Sequence, residues 1–208
     1  MRVLALANRK GGCGKTTLST AVASAFAAGG VPAALVDLDP QGSATAWAEC
    51  RPADRPKVRL IRSRPASLAD DLWRLTSEGI VIAVLDTPPH SDAALAGAVA
   101  VADAVLCPSL PSAFDLLALA SILPTLRQSG RPIGIVLTSV THGTVGLRDA
   151  EAAIGSMDLP LVGSMGRRMV YQYAAAKGLG PTEMGRRHEA VAEVEAVCRW
   201  VMSTLEGR

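Results

Sequence analysis

Asn8-Arg9-Lys10-Gly11-Gly12-Cys13-Gly14-Lys15-Thr16-Thr17 is the stretch whose reading decides the fold. It follows a short apolar run, Val3–Ala7, and opens an Ala-rich helical stretch, Lys15–Ala28. Gly-Lys-Thr at a strand-to-helix junction is the context a phosphate-binding loop requires. The glycines let backbone N–H groups turn inward toward phosphate oxygens. The helix N-terminus adds its partial positive charge. Lys15 is placed to reach the β- and γ-phosphates of a nucleotide, and the Thr16 hydroxyl to bind Mg²⁺. Gly11, Gly12, Cys13, Gly14, Lys15, Thr16 and Thr17 are thus the expected nucleotide contacts. Cys13 reads as a small filler, although Lys10, Lys15 and the helix terminus could lower its pKa.

Working outward, short apolar runs alternate with longer helical stretches. The expected strands are Val3–Ala7, Ala33–Asp37, Val58–Ile61, Ile80–Asp86, Ala104–Pro108, Ile133–Thr138 and Pro160–Gly163. The expected helices are Lys15–Ala28, Ser67–Ser77, Asp92–Val101, Ala113–Ser129, Leu147–Ser156, Met169–Lys177 and His188–Leu205. Runs such as Val81-Ile82-Ala83-Val84-Leu85 are apolar throughout, which fits strands covered on both faces. The fold class is therefore α/β: one domain over residues 1–208, with a doubly wound, mostly parallel sheet of about seven strands and helices on both faces. The polar, Pro-containing stretch Arg51–Pro56 reads as a surface loop.

Composition agrees. Hydrophobic residues are 49% and charged residues 19%, a globular balance. The net charge is only +2, so any nucleic-acid surface must be a local patch. Cys13, Cys50, Cys107 and Cys198 have no metal-ligand spacing and read as free thiols. The opening run is too short for a signal peptide, and nothing reaches the length of a membrane span. A cytoplasmic protein is expected.

Carboxylates end two of the expected strands. Val36-Asp37-Leu38-Asp39-Pro40-Gln41-Gly42 places two acids at i and i+2, which point the same way at the edge where α/β sheets bind ligands. Turn or cap roles remain open for both. Val84-Leu85-Asp86-Thr87-Pro88-Pro89 ends an apolar strand in Asp, the pattern of a carboxylate that holds Mg²⁺. His90 reads as an exposed loop histidine.

Three segments, Lys10–Thr17, Asp37–Gly42 and Asp86–Pro89, resemble the ParA/MinD family of deviant Walker A ATPases. The chain looks like its short branch, which lacks an N-terminal helix-turn-helix and includes the ParF-like plasmid partition proteins. The resemblance implies ATP and Mg²⁺ as ligands and ATP hydrolysis as the activity. It makes Lys10 the lysine that reaches the nucleotide of the opposite subunit in an ATP-sandwich homodimer. It makes Asp39 the residue that positions the attacking water and contacts the Mg²⁺ shell, with Asp37 supporting. Lys10, Lys15 and Asp39 become the catalytic candidates, and Thr16, Asp39 and Asp86 the metal candidates. Pro108–Asp115 resembles the family's loop into a long helix at the dimer face.

The family also implies non-specific DNA binding, nucleoid association in the ATP state, and a ParB- or ParG-like adaptor or centromere-binding partner. The cargo is a plasmid, a chromosome, a chemoreceptor cluster or a protein microcompartment. DNA candidates are Arg167, Arg168, Arg186 and Arg187, with Lys177 and Arg199 beside them. A MinD-like membrane-cycling ATPase is the alternative, but the C-terminal helix carries acids and reads as packed on the domain. An iron–sulfur carrier and a small-molecule kinase share the loop. The first needs a cysteine arrangement that is missing here, and the second has no use for a lysine in trans.

Overall fold

The computed structural model describes residues 1–185 and 188–206. Seven strands form one sheet: β1 (Arg2–Leu6), β2 (Ala33–Asp37), β3 (Val58–Arg62), β4 (Ile82–Asp86), β5 (Ala104–Ser109), β6 (Ile133–Val140) and β7 (Leu161–Gly166). Their spatial order is β3-β2-β4-β1-β5-β6-β7, and every pairing is parallel. The helices are α1 (Lys15–Ala28), α2 (Ser43–Glu49), α3 (Leu68–Ser77), α4 (Asp92–Val101), α5 (Ala113–Gln128), α6 (Val145–Ser156), α7 (Met169–Ala175) and α8 (Glu189–Glu206). A 3₁₀ turn spans Pro181–Glu183.

The strands lack alternation because both faces are covered. On β1, Val3 and Ala5 join Leu72, Leu95, Leu119 and Ile154 from α3, α4, α5 and α6. Leu4 and Leu6 join Leu18, Trp47, Tyr171 and Val197 from α1, α2, α7 and α8. With few aromatics to fill space, the second layer relies on close approach. A Cβ on Gly163 would lie 2.8 Å from Val197 Cγ2, and one on Gly134 would lie 2.9 Å from Trp200. These two glycines let α8 settle directly on β6 and β7.

Most expected boundaries match within two residues, and the differences have local causes. The β4 strand begins at Ile82 because the Ile80 N–H bonds back to Leu75 O at the end of α3. The β6 strand runs on to Val140 through an irregularity at Ser139, whose φ is 51°. The α7 helix stops at Ala175, where Gly178 (φ 64°) turns the chain and the Leu179 N–H caps Ala174 O. Helix α2 was not expected at all. Its cap is Asp37, eight residues upstream on β2, whose Oδ2 accepts from Thr45 N (2.9 Å) and Thr45 Oγ1 (2.6 Å). Local capping rules do not see such a partner.

Gly163→Ala is expected to destabilise the domain by about 1–3 kcal/mol in urea unfolding, through the overlap with Val197. Combining it with Val197→Ala should cost less than the sum of the two single changes.

Candidate functional site

The loop after β1 is fastened from three sides. Asn8 is buried, donates Nδ2 to Pro108 O at 2.8 Å on β5, and accepts the Lys10 N–H at 2.9 Å. Thr138, on β6, donates Oγ1 to Cys13 O at 2.8 Å. The Arg9 carbonyl accepts the His90 N–H at 3.0 Å, and Arg9 Nη2 pairs with Asp92 at 2.6 Å. Gly12 (φ 75°) and Gly14 (φ 91°) adopt left-handed backbone that other residues resist. Held this way, the loop curls at the N-terminus of α1 with Lys15 Nζ on Lys10 O at 2.9 Å.

The three sequence motifs meet here. A cavity of ≈ 290 Å³ is walled by Gly12, Gly14, Lys15, Thr16, Asp39 and Pro89. Thr16 Oγ1 donates to Asp86 Oδ2 at 2.7 Å. The other Asp86 oxygen is buried and has no hydrogen-bond partner among the described residues. Burial pushes this carboxyl up to about 7, and neighbouring Asp37 adds to the rise against the Thr16 bond. An uncompensated buried carboxylate oxygen beside a threonine hydroxyl fits a divalent cation. Thr16, Asp86 and the half-buried Asp39 are the oxygen donors that could hold Mg²⁺ beside a nucleotide. Asp39 Oδ1 also accepts the Gln41 N–H at 2.9 Å, which shapes the turn into α2.

Asp37 is committed elsewhere. Its oxygens take Asp39 N, Thr45 N and Thr45 Oγ1, so it orders the loop rather than facing the cavity. Beyond Asp39 a larger cleft of ≈ 1330 Å³ opens between α3 and the loops after β2 and β4. The phosphate-loop residues Gly12, Gly14 and Lys15 line the smaller cavity and not this cleft.

Lys10 extends away from its own loop. Its Nζ lies 2.6 Å from Asp115 Oδ2, and Asp115 is buried in the first turn of α5. Ser112, the N-cap of α5, also donates to that carboxylate. In the sequence Asp115 only closes the Pro108–Asp115 segment that resembles the family's loop into a long helix, and nothing local shows that it holds Lys10. Phe114 and Leu117, on the same first turns, are 78% and 67% exposed.

Cys13 is the packed filler expected, with Sγ 3.2 Å from Lys10 O, and burial raises its thiol despite Lys15. One expectation changes. Arg168 is not a free cation: its guanidinium bonds to Glu193 at 3.0 Å and pairs with Glu189, tying the end of β7 to α8. Arg167 lies beside it with no acid paired to its side chain among the described residues. Arg186 and Arg187 fall outside the described residues. Cys107 is fully buried in β5, where burial raises its thiol well above the usual range. His90 is exposed, as expected, with φ 55°.

Comparison with known proteins gives the same placement. The family described as CobQ/CobB/MinD/ParA nucleotide binding domain matches residues 4–181. The chain is 34% identical over 212 residues to a maintenance of carboxysome distribution protein A of Gloeobacter kilaueensis, covering 99% of this chain and 94% of that one. It is 30% identical to the chromosome-partitioning ATPase Soj of Thermus thermophilus, covering 74% and 76%. Its fold superposes on the septum site-determining protein MinD of Pyrococcus horikoshii, in complex with Mg-ADP, with a TM-score of 0.81 at 16% identity over 96% and 95% of the two chains. With a phosphate loop, an ordered turn at Asp39 and a buried Asp86 on a seven-stranded parallel sheet, the chain belongs to the CobQ/CobB/MinD/ParA family of nucleotide-binding domains.

Proposed function

We propose that this chain is a ParA-type positioning ATPase. It dimerises on Mg-ATP, binds DNA without reading its sequence, and hydrolyses ATP when a partner protein stimulates it, so that a large cargo is moved or spaced. The convergence of Lys15, Thr16 and Asp39 on one small cavity, with buried Asp86 bonded to Thr16 behind it, carries this reading. In it, Lys15 and the loop amides neutralise and orient the phosphates. Mg²⁺, when bound, adds charge neutralisation at the phosphate oxygens. Asp39 orients the attacking water and accepts its hydrogen bond.

Lys10 serves a second subunit. To reach it, the lysine must leave Asp115, so the ion pair belongs to the unassembled chain and its loss accompanies assembly. Phe114 and Leu117 flank that ion pair and supply the apolar contact for the second copy. The carboxysome-distribution relative favours a protein microcompartment as cargo, with an adaptor on the cargo in place of a ParB- or ParG-like centromere-binding protein. The membrane-cycling reading is disfavoured by α8. Its Val194, Val197, Val201 and Leu205 are buried against the sheet, so its apolar face is already occupied. No helix among the described residues is long and apolar enough to cross a membrane.

Asp39→Ala is expected to bind Mg-ATP normally and to hydrolyse it about 100-fold more slowly in a phosphate-release assay, because a water-orienting group acts in the transition state. Lys10→Ala should abolish ATP-dependent dimerisation in analytical ultracentrifugation. Phe114→Ala should weaken it at least about tenfold with monomer ATP affinity unchanged; dimerisation at wild-type strength in both variants would refute the interface. Asp86→Asn should lose the gain in nucleotide affinity that Mg²⁺ gives in calorimetry. The same change should raise the melting temperature of the nucleotide-free protein by about 2–4 °C or more, since it removes a buried, unpaired charge.

A further inference from the structure

The cations of this chain are unevenly placed. Between residues 51 and 67 stand Arg51, Arg55, Lys57, Arg59, Arg62 and Arg64 against a single acid, Asp54, a net of +5. The whole chain carries +2, so the remaining residues sum to −3. This segment forms β3 and its flanks, and β3 is the outermost strand on its side of the sheet.

Two of the six cations are used internally. Arg51 is buried in a bidentate pair with Glu183 at 2.9 and 2.7 Å, and Arg59 holds Glu78 at 2.7 and 3.2 Å. Arg55 keeps only a 3.9 Å approach to Asp54. Lys57, Arg62 and Arg64 are exposed and, among the described residues, have no acid within ion-pair distance, although Glu78 near Lys57 and Asp70 in the cleft that Arg64 lines border the strip. Elsewhere among the described residues, the arginines paired to acids are Arg2, Arg9, Arg74 and Arg168. Pro52, Pro56 and Pro65 stiffen the strip, so little freedom is lost when it is ordered against a partner.

We propose that this β3 edge is a DNA-backbone contact surface, with Arg55, Lys57, Arg62 and Arg64 as its phosphate-binding residues. The inference rests on the DNA-binding reading above and places the contact on a different element from the C-terminal arginines. Extended backbone from Arg55 to Arg64 reaches at most about 30 Å. That is about nine base-pair steps of a duplex, enough for four phosphate contacts. Phosphate contacts carry no base information, so the surface binds any sequence. Arg62 Nη2 also donates to Pro40 O at 3.3 Å, one residue past Asp39. The strip therefore touches the loop that senses the nucleotide.

Cations and prolines on an edge strand also guard against edge-to-edge aggregation, and the experiment separates the two roles. Fluorescence anisotropy on a random-sequence duplex, with ADP and with a non-hydrolysable ATP analogue, is measured at several salt concentrations. Four proteins are compared: wild type; R55Q/K57Q/R62Q/R64Q; the charge-matched R2Q/R127Q/R131Q/R148Q; and R55K/R62K/R64K. All four are checked for ATP binding and melting temperature. The edge glutamine variant is expected to lose about 100-fold or more in affinity at low salt. Its log K against log[salt] slope should flatten by about 3–4 per protomer. The charge-matched and lysine variants should stay near wild type. Wild-type affinity in the edge glutamine variant, with or without aggregation, overturns the surface, as does equal loss in the charge-matched variant or loss in the lysine variant. A wild-type protein that binds no duplex with either nucleotide refutes the DNA reading itself, and the surface with it.

Discussion

Two carboxylates lie side by side at the C-terminal edge of the sheet, and the site is built around the problem they pose. Parallel pairing puts Asp37 of β2 and Asp86 of β4 in register, both buried. Like charges at that distance in low dielectric repel, and each loses hydration. The chain resolves the conflict unequally. Asp37 is saturated by amides and a hydroxyl from its own loop and from α2. Asp86 Oδ2 accepts the Thr16 hydroxyl, and among the described residues its other oxygen has no hydrogen-bond partner. The remaining deficit is concentrated on one oxygen beside the phosphate loop, where a cation has most to offset.

The same inequality explains what each acid does. By capping α2, Asp37 fixes where the chain turns after β2, and so fixes Asp39 at the cavity mouth. Trp47 and Arg51, at the far end of α2, then lock onto the C-terminal part of the chain: Trp47 Nε1 donates to Leu179 O at 3.1 Å, and Arg51 binds Gly178 O at 2.8 Å as well as Glu183. A bidentate, buried arginine pair is costly to break once formed. The loop bearing Asp39 is thus anchored at both ends, to β2 and through α2 to the turn before α8. Movement of that loop has few ways to dissipate locally.

These arrangements also set what the sequence could reveal. The sheet, its parallel sense and seven of the helices are legible because apolar runs and Ala-rich stretches alternate at the lengths that α/β layers impose. The phosphate loop is legible because Gly12 and Gly14 are needed where the backbone is left-handed and Lys15-Thr16 follow at fixed spacing. Helix α2 is not legible, because its cap comes from the preceding strand across eight residues. The hold of Asp115 on Lys10 is not legible either: the two are 105 residues apart. Arg168 reads as a surface cation until α8 brings Glu189 and Glu193 against it.

Charge location follows the same logic. Counting basic residues in the C-terminal third overlooks where acids return to neutralise them, since α8 carries Glu189, Glu193, Glu195 and Glu206 along one stretch. An edge strand offers less such return: on β3, Arg59 meets Glu78, and Arg62 meets no acid among the described residues. Such a strand has a neighbour on one side only, its outer side faces solvent, and its flanking loops here hold a single acid. The sheet order therefore decides which cations stay available. A residue on β1 or β5 must be apolar to sit between helical layers, whereas one on β3 can keep a charge without burying it. In a chain of net charge +2, the outer strand is where the fold lets positive charge accumulate at the least cost in desolvation.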